Sequence, residues 1–328
     1  MRLLKILYFL TGVLLLVWVL AQVDVADVWS KVMQVGVFGM TFVIAIYAVG
    51  FAIDSFTWQL ALDVPLTPQW LGRAFTVRMI GEFFNSVIPA AGMGGEPVKA
   101  ELLKKRYGVG YRVGTASIIL GRTVNMIGEL GFLAVGLALV WMSALPAAFK
   151  TSAAIGLAGF VAATVGFFFF QRLRVSSRTG RWLARWPVTR RIDGVLHHIH
   201  DMDERLVAFY TRHRARFGWA VTFAFVNWVV GAVEVYAAMA FLGHPVSFAD
   251  AWIIEAVVQL VRSAAFFIPV NVGAQEGAFL IACVAITGSA ELGVAVSVIR
   301  RFREIVWMTA GAGMGALWSA RPSPPPGG

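Results

Sequence analysis

From residue 32 to residue 53 the chain runs twenty-two residues without one charged side chain. A helix needs about 20 apolar residues to cross the hydrocarbon core of a bilayer, so this run reads as a membrane span. Five similar runs accompany it: 6–23, 130–149, 151–171, 217–243 (interrupted only by Glu234) and 305–320. They predict an all-α polytopic membrane protein with about six full spans. Composition agrees, since 59% of the 328 residues are hydrophobic and 14% charged, whereas about a quarter of a soluble domain is charged. The single cysteine, Cys283, excludes an internal disulfide and a cysteine-ligated metal cluster. No small-residue cleavage site follows 6–23, so that run is expected to stay as the first helix.

Basic residues set the orientation, because Lys and Arg collect on the cytoplasmic side. Arg2 and Lys5 precede the first run and Asp24 and Asp27 follow it, which places the N-terminus in the cytoplasm. Lys99, Lys104, Lys105, Arg106 and Arg112 fall on the same side two spans later, and 243–250 carries no Lys or Arg and falls outside. Eleven of the 28 basic residues lie within 172–216. The net charge of +10 therefore describes one cytoplasmic segment facing anionic lipid headgroups, not a nucleic-acid surface. Within it Leu196, Ile199, Met202, Leu206 and Phe209 recur at helical spacing, with Trp182 and Trp186 suited to the interface. His197, His198, His200, Asp201 and Asp203 lack a ligand spacing and read as a solvated helix face; no metal and no cofactor are expected.

Two apolar segments, 81–103 and 261–283, are broken by proline, glycine and charge. In each a proline stands seven residues before a glutamate, Pro89 before Glu96 and Pro269 before Glu276, with glycines between them. A charge stands seven residues before each proline, Glu82 in one and Arg262 in the other. About 25 residues after each glutamate comes an arginine in an apolar helix, Arg122 in the first copy and Arg300, Arg301 and Arg303 in the second. This is a weak internal repeat, with copies at about 75–142 and 251–318 flanking the basic segment 171–216. Three spans separate the copies, so they enter from opposite sides: an inverted-topology repeat of two re-entrant hairpins, a plan that recurs in secondary transporters. Backbone freed by Pro and Gly survives at membrane depth only inside protein or beside a wet cavity. Residues 1–320 form one transmembrane domain in this reading, and the Pro/Gly tail 321–328 reads as disordered.

Arg78, Gly81, Asn85, Pro89, the run GGEPVK at 94–99 and Arg122 together resemble the lysylphosphatidylglycerol synthase/flippase transmembrane family. Pro269, Gly273, Glu276 and Arg301 resemble its second motif, and the likeness extends over roughly 1–320. It implies a multi-pass lipid translocator of the bacterial inner membrane, related to the flippase half of bifunctional aminoacyl-phospholipid proteins, with relatives tied to hopanoid and glycolipid pathways. No aminoacyl-transferase region follows the last span, so synthase activity is not expected. Asn125 stands where many members carry an acid, and Gln275 where arginine is common.

The expected substrate-binding residues are Arg78, Asn85, Gly94, Gly95, Glu96, Lys99, Arg122, Gly273, Glu276 and Arg301. An arginine fork suits a phosphate, and a charge at the bilayer centre is too costly to face lipid, at about 2.5–3.5 kcal/mol on insertion scales. Asp54, Glu129, Glu234 (with Asn227 near it), Glu255 and Glu304 belong to the same set of ionisable groups in apolar surroundings. Two uses stay open for Glu96–Arg122 and Glu276–Arg301: fixed ties between each hairpin and the next helix, or groups that bind substrate. Arg300, Arg301 and Arg303 cannot all face one cavity, and Glu304, four residues after Arg300, is the expected partner for one of them. Gly92–Gly95 lacks the Lys-Ser/Thr of a phosphate-binding loop, and no nucleophile–His–acid set is visible, so an enzyme is not expected. The functional expectation is translocation of an anionic or zwitterionic lipid or lipid-linked intermediate. A secondary transporter of a soluble anion and a non-transporting partner of lipid-synthesis enzymes are the alternatives.

Overall fold

A computed structural model of the chain describes residues 2–62, 64–88, 94–172, 209, 211 and 213–319. The described residues contain helices and no strand: α1 (Arg2–Leu20), α2 (Val25–Ala61), α3 (Pro68–Val87), α4 (Glu96–Tyr107), α5 (Tyr111–Met142), α6 (Ala147–Arg172), α7 (Arg214–Phe241), α8 (Phe248–Ala264), α9 (Ala274–Thr287) and α10 (Ala290–Ser319). A 3₁₀ turn, Pro269–Asn271, joins α8 to α9. Local chemistry sets the ends. Asp24 accepts the Ala26 N–H to start α2, Thr67 caps α3 just before Pro68, and a Ser247/Asp250 capping box opens α8. Gly108 and Gly288 close α4 and α9 in the left-handed conformation. Within α2 the backbone turns at Gly36, at φ 64°.

Among the described residues, five stretches are long and apolar enough to cross a membrane: Val25–Ala61, Tyr111–Met142, Ala147–Gly166, Arg214–Phe241 and Pro269–Thr287. This changes the expected span list in four ways. The run 6–23 falls in α1, which contributes only the short apolar helix Leu10–Leu20 and is not among the five. The span placed at 130–149 is α5, which begins nineteen residues earlier and stops at Met142, because Ser143 ends the helix before Pro146. The run 305–320 is the second half of α10, whose Arg300, Arg301, Arg303 and Glu304 interrupt its apolar stretch. The stretch Pro269–Thr287, which joins the 3₁₀ turn to α9, falls in a segment read as broken and is apolar enough to count. Charge-free runs fall short of the true helices because α5 and α10 turn their charges toward protein.

The helices pack in a recurring pattern. α2 lies along α7; α5 packs on α7 as α10 packs on α2; α3 touches α10 as α8 touches α5. α3 packs on α4 and α8 on α9, and each of these pairs rests on the helix that follows it, α5 or α10. The larger apolar core gathers Val43, Met239, Ile254, Phe279 and Ile299, and a second gathers Trp58, Val77, Leu103 and Ile118. Between the two cores the bundle stays open. Residues 89–93 with Pro89, the histidine–aspartate cluster at 197–203, the basic segment apart from its edges, and the tail 321–328 lie outside the described residues.

Candidate functional site

Glycine brings α3 and α4 close enough to form one wall of the opening. A Cβ on Gly95 would stand 1.9 Å from the Gly81 carbonyl oxygen, and one on Gly81 would overlap the Lys99 side chain. The Gly95 N–H donates to Asn85 Oδ1 at 2.7 Å, and a Cβ on Gly94 would meet Ile88 at 2.4 Å. Lys99 therefore lies across α3, where its ammonium meets Glu82 at 2.8 Å and Glu96 at 3.4 Å. Arg122 on α5 donates to Glu96 at 2.6 Å. Arg78 pairs with Asp54 on α2 and donates to the Asp54 carbonyl at 3.0 Å. Asn125 donates to the other Asp54 carboxylate oxygen at 3.0 Å; an acid at 125 would repel Asp54, so the amide fits this neighbour.

The facing wall comes from α7, α8 and α10. Arg300 holds Glu255 through two nitrogens, at 3.2 and 2.6 Å, and approaches Glu234 at 3.5 Å. Arg303 pairs with Glu234 and reaches Glu304 at 3.7 Å, with its guanidinium 3.9 Å from the Tyr47 ring centre. Glu304 is thus matched to Arg301 and Arg303, not to the Arg300 that helical spacing indicated. Glu234, on α7, joins α7 to α10 through these arginines and not through Asn227.

These groups surround a cavity of about 1310 Å³ lined by α2, α3, α4, α5, α7, α8, the Phe266–Asn271 connection and α10. Its wall carries seven carboxylates (Asp54, Glu82, Glu96, Glu129, Glu234, Glu255 and Glu304) and six cations (Arg78, Lys99, Arg122, Arg262, Arg300 and Arg303). Residues 3–313 match the family described as the lysylphosphatidylglycerol synthase TM region. The chain belongs to this family. No match was found among curated proteins or among solved structures.

In this family member, five of the ten residues expected to bind substrate line the cavity: Arg78, Asn85, Glu96, Lys99 and Arg122. Gly94 and Gly95 stand behind them as the close contact that lets α4 approach α3. Gly273, Glu276 and Arg301 do not line it. Gly273, at φ 78°, presses against the α1 backbone, where a Cβ would be 2.3 Å from the Gly12 carbonyl oxygen. Glu276 accepts the Gly273 N–H at 2.7 Å and Arg301 Nε at 2.7 Å. Val270 and Asn271 have left the helical conformation, at φ 54° and 51°, and Arg301 donates to both of their carbonyls, at 2.8 and 3.1 Å. Carbonyls freed by the turn thereby find a donor. Gln275 is buried, with neither polar side-chain atom bonded among the described residues. Both expected Glu–Arg pairs form, one on the cavity wall and one behind it.

The residues that the sequence placed in apolar surroundings but not in the site are Asp54, Glu82, Glu129, Glu234, Glu255, Arg262, Arg300, Arg303 and Glu304. All of them line the cavity. Their shared signal was charge inside an apolar helix, which carries no information about which neighbour each one meets.

Proposed function

We propose that this chain is a flippase-like translocator that moves an anionic or zwitterionic lipid, or a lipid-linked intermediate, by passing its headgroup through the central cavity. The observation that carries this reading is the cavity itself: an opening of about 1310 Å³ inside an apolar bundle, walled by ionisable side chains from both halves of the chain. Thirteen ionisable groups are far more than two short turns require, and they are intolerable against lipid. A wet, charged interior in a membrane protein marks a polar path. Arg78, Asn85, Glu96, Lys99 and Arg122 face the headgroup; Gly94 and Gly95 set the approach of α4; Gly273, Glu276 and Arg301 hold the second turn. No bond-making chemistry is assigned to the site, and energy coupling is left to the gradient of the lipid or of an ion.

The same reading makes α3–α4 and α8–α9 re-entrant hairpins of an inverted repeat, in an inner-membrane protein whose N-terminus is cytoplasmic. The reciprocal packing of α5 on α7 and α10 on α2 supports it, as does the broken backbone at Pro269–Asn271. Substrate lipid and the enzymes that make it are the partners it implies, with anionic headgroups against 172–216.

Translocation is tested in proteoliposomes carrying a fluorescent phospholipid, with an impermeant reductant quenching the outer leaflet. Protein is expected to expose the inner-leaflet pool; quenching that stops at the outer pool, as in empty vesicles, removes the translocator reading. Topology is tested with single cysteines at Gly110 and His244, both exposed, in a Cys283→Ala background. An impermeant maleimide is expected to reach them from opposite sides, and labelling from one side alone rules out the inverted repeat.

A further inference from the structure

Among the described residues, every cation on the cavity wall is ion-paired within 4 Å except one, and every carboxylate except one. The unmatched cation is Arg262 and the unmatched carboxylate is Glu129; both line the cavity, and Ser263, next to Arg262 in the chain, bonds Glu129. Glu129, on α5, is 7% exposed and accepts Ser263 Oγ at 2.6 Å and Gln259 Nε2 at 2.9 Å, both on one oxygen. Its second oxygen has no donor among the described residues. Ser263 and Gln259 belong to α8, where Arg262 adjoins Ser263. Glu304, another carboxylate of the wall, is occupied elsewhere: its oxygens meet Arg301 and Arg303.

The repeat explains how Arg262 came to lack a partner. Glu82 stands at the corresponding place in the first copy, seven residues before the proline, and is matched by Lys99, ten residues after it. In the second copy the sign is reversed to arginine, and the place of Lys99 is taken by Phe279. Phe279 is buried beneath the Arg300 guanidinium, 4.9 Å from ring centre to carbon. A guanidinium beside a cavity, with no carboxylate in contact, has its fork open to an incoming oxyanion.

We infer that Arg262 and Glu129 form a two-point site for a zwitterionic phospholipid headgroup, with the phosphate on the Arg262 fork and the ammonium on the free Glu129 oxygen. This rests on the reading of the cavity as a lipid path. The wall next to Arg262 favours a lipid over a soluble phospho-amine. Phe266 and Val270, 63% and 43% exposed, line the same cavity four and eight residues further along the chain, an apolar ledge that suits acyl chains. Each charge alone would select an anion or a cation; the two together select a headgroup carrying both within a few ångströms.

The test is binding by the intact chain in detergent, with short-chain phosphatidylethanolamine, short-chain phosphatidylglycerol and soluble phosphoethanolamine as probes. The parent is expected to prefer the ethanolamine lipid to the glycerol lipid about tenfold, the scale of one charge-assisted contact. Arg262→Gln is expected to weaken both lipids about tenfold, whereas Glu129→Gln should erase the preference and leave the glycerol lipid unchanged. Where Arg262→Gln does not fold, Arg262→Lys serves, with a smaller loss for both lipids and the preference kept. Folded variants that bind both lipids as the parent does, while the parent still moves lipid in vesicles, overturn this site and leave the translocator reading standing. Phosphoethanolamine bound as tightly as the lipid, with no lipid movement by the parent, overturns the translocator reading and leaves the two residues as a phosphate–amine site.

Discussion

The two helix pairs share a sequence plan and put it to different uses. In α3–α4 the glutamate of the motif, Glu96, meets Lys99 and the half-exposed Arg122 on the cavity wall. In α8–α9 the equivalent Glu276 turns away from the cavity, receives the Gly273 N–H, and is clamped by an Arg301 that also ties down two turn carbonyls. One pair presents its charges and the other spends them on its own backbone. The difference teaches that equal spacing preserves the ion pair but not its exposure, and exposure decides whether a pair can exchange its partner for a ligand. In the second half the arginine left facing the cavity without a carboxylate is Arg262, where the first half carries Glu82.

The largest effect is expected where the second pair is broken. Glu276→Gln leaves Arg301 with Glu304 as its one carboxylate and weakens the hold on the turn. Removing one side of a buried pair costs about 3–5 kcal/mol; because Glu304 stays 2.9 Å from Arg301, a loss near the lower end, about 3 kcal/mol, is expected in thermal unfolding of the detergent-solubilised protein. A change no larger than that of a surface substitution would erase the distinction between the two pairs.

A smaller loss is expected from crowding the first pair. The Gly81 carbonyl cannot accommodate a Cβ on Gly95 without moving α4, and overpacking of this kind costs about 1–3 kcal/mol. Gly159, in α6, has nothing within 4 Å of the place a Cβ would take, so Gly159→Ala is expected to be neutral or to stabilise by up to about 1 kcal/mol through helix propensity. Equal melting temperatures for Gly95→Ala and Gly159→Ala would show that α3 and α4 need no close approach. Gly136 is a poor control, because it lies against Ala256 across the α5–α8 contact, although its run reads as a plain span.

Much of this was legible in the sequence because proline, glycine and charge are rare at membrane depth, and each marks a place where the backbone or a side chain needs a partner. Hence the two broken segments, and the pairing of Glu96 with Arg122 and Glu276 with Arg301, follow from spacing. The lengths of α5 and α10 did not, since a charge-free run measures what can face lipid, whereas Arg122, Glu129, Arg300 and Arg303 face protein or cavity. Nor could spacing tell that Arg301 would turn away while Arg300 and Arg303 lined the wall; a helix rotates successive residues by about 100°, and packing alone decides which direction is inward. The neighbourhood of Glu129 and Arg262 is a tertiary fact, built by α8 crossing α5, and no local pattern announces it.

The smallest effect, and the sharpest measure of the comparison, is expected from a double-mutant cycle on the first pair. Arg122 keeps 48% of its side chain exposed while its partner Glu96 keeps 12%, so water screens the attraction and replaces what a substitution removes. Exposed pairs couple by about 0.2–1 kcal/mol; a coupling of about 1 kcal/mol or less is therefore expected between Glu96→Gln and Arg122→Gln, against a clearly larger value for Glu276→Gln with Arg301→Gln. Lys99 lies within reach of both Glu82 and Glu96, so neutralising Glu96 leaves it matched and the fold intact. The folded double variant then separates structure from function. If the Glu96–Arg122 pair only ties α4 to α5, lipid movement in proteoliposomes proceeds at the parental rate once stability is matched. If Arg122 exchanges Glu96 for a headgroup phosphate, the double variant melts near the parent yet moves lipid several-fold more slowly, and Arg122→Lys falls between them because an ammonium lacks the two-pronged fork.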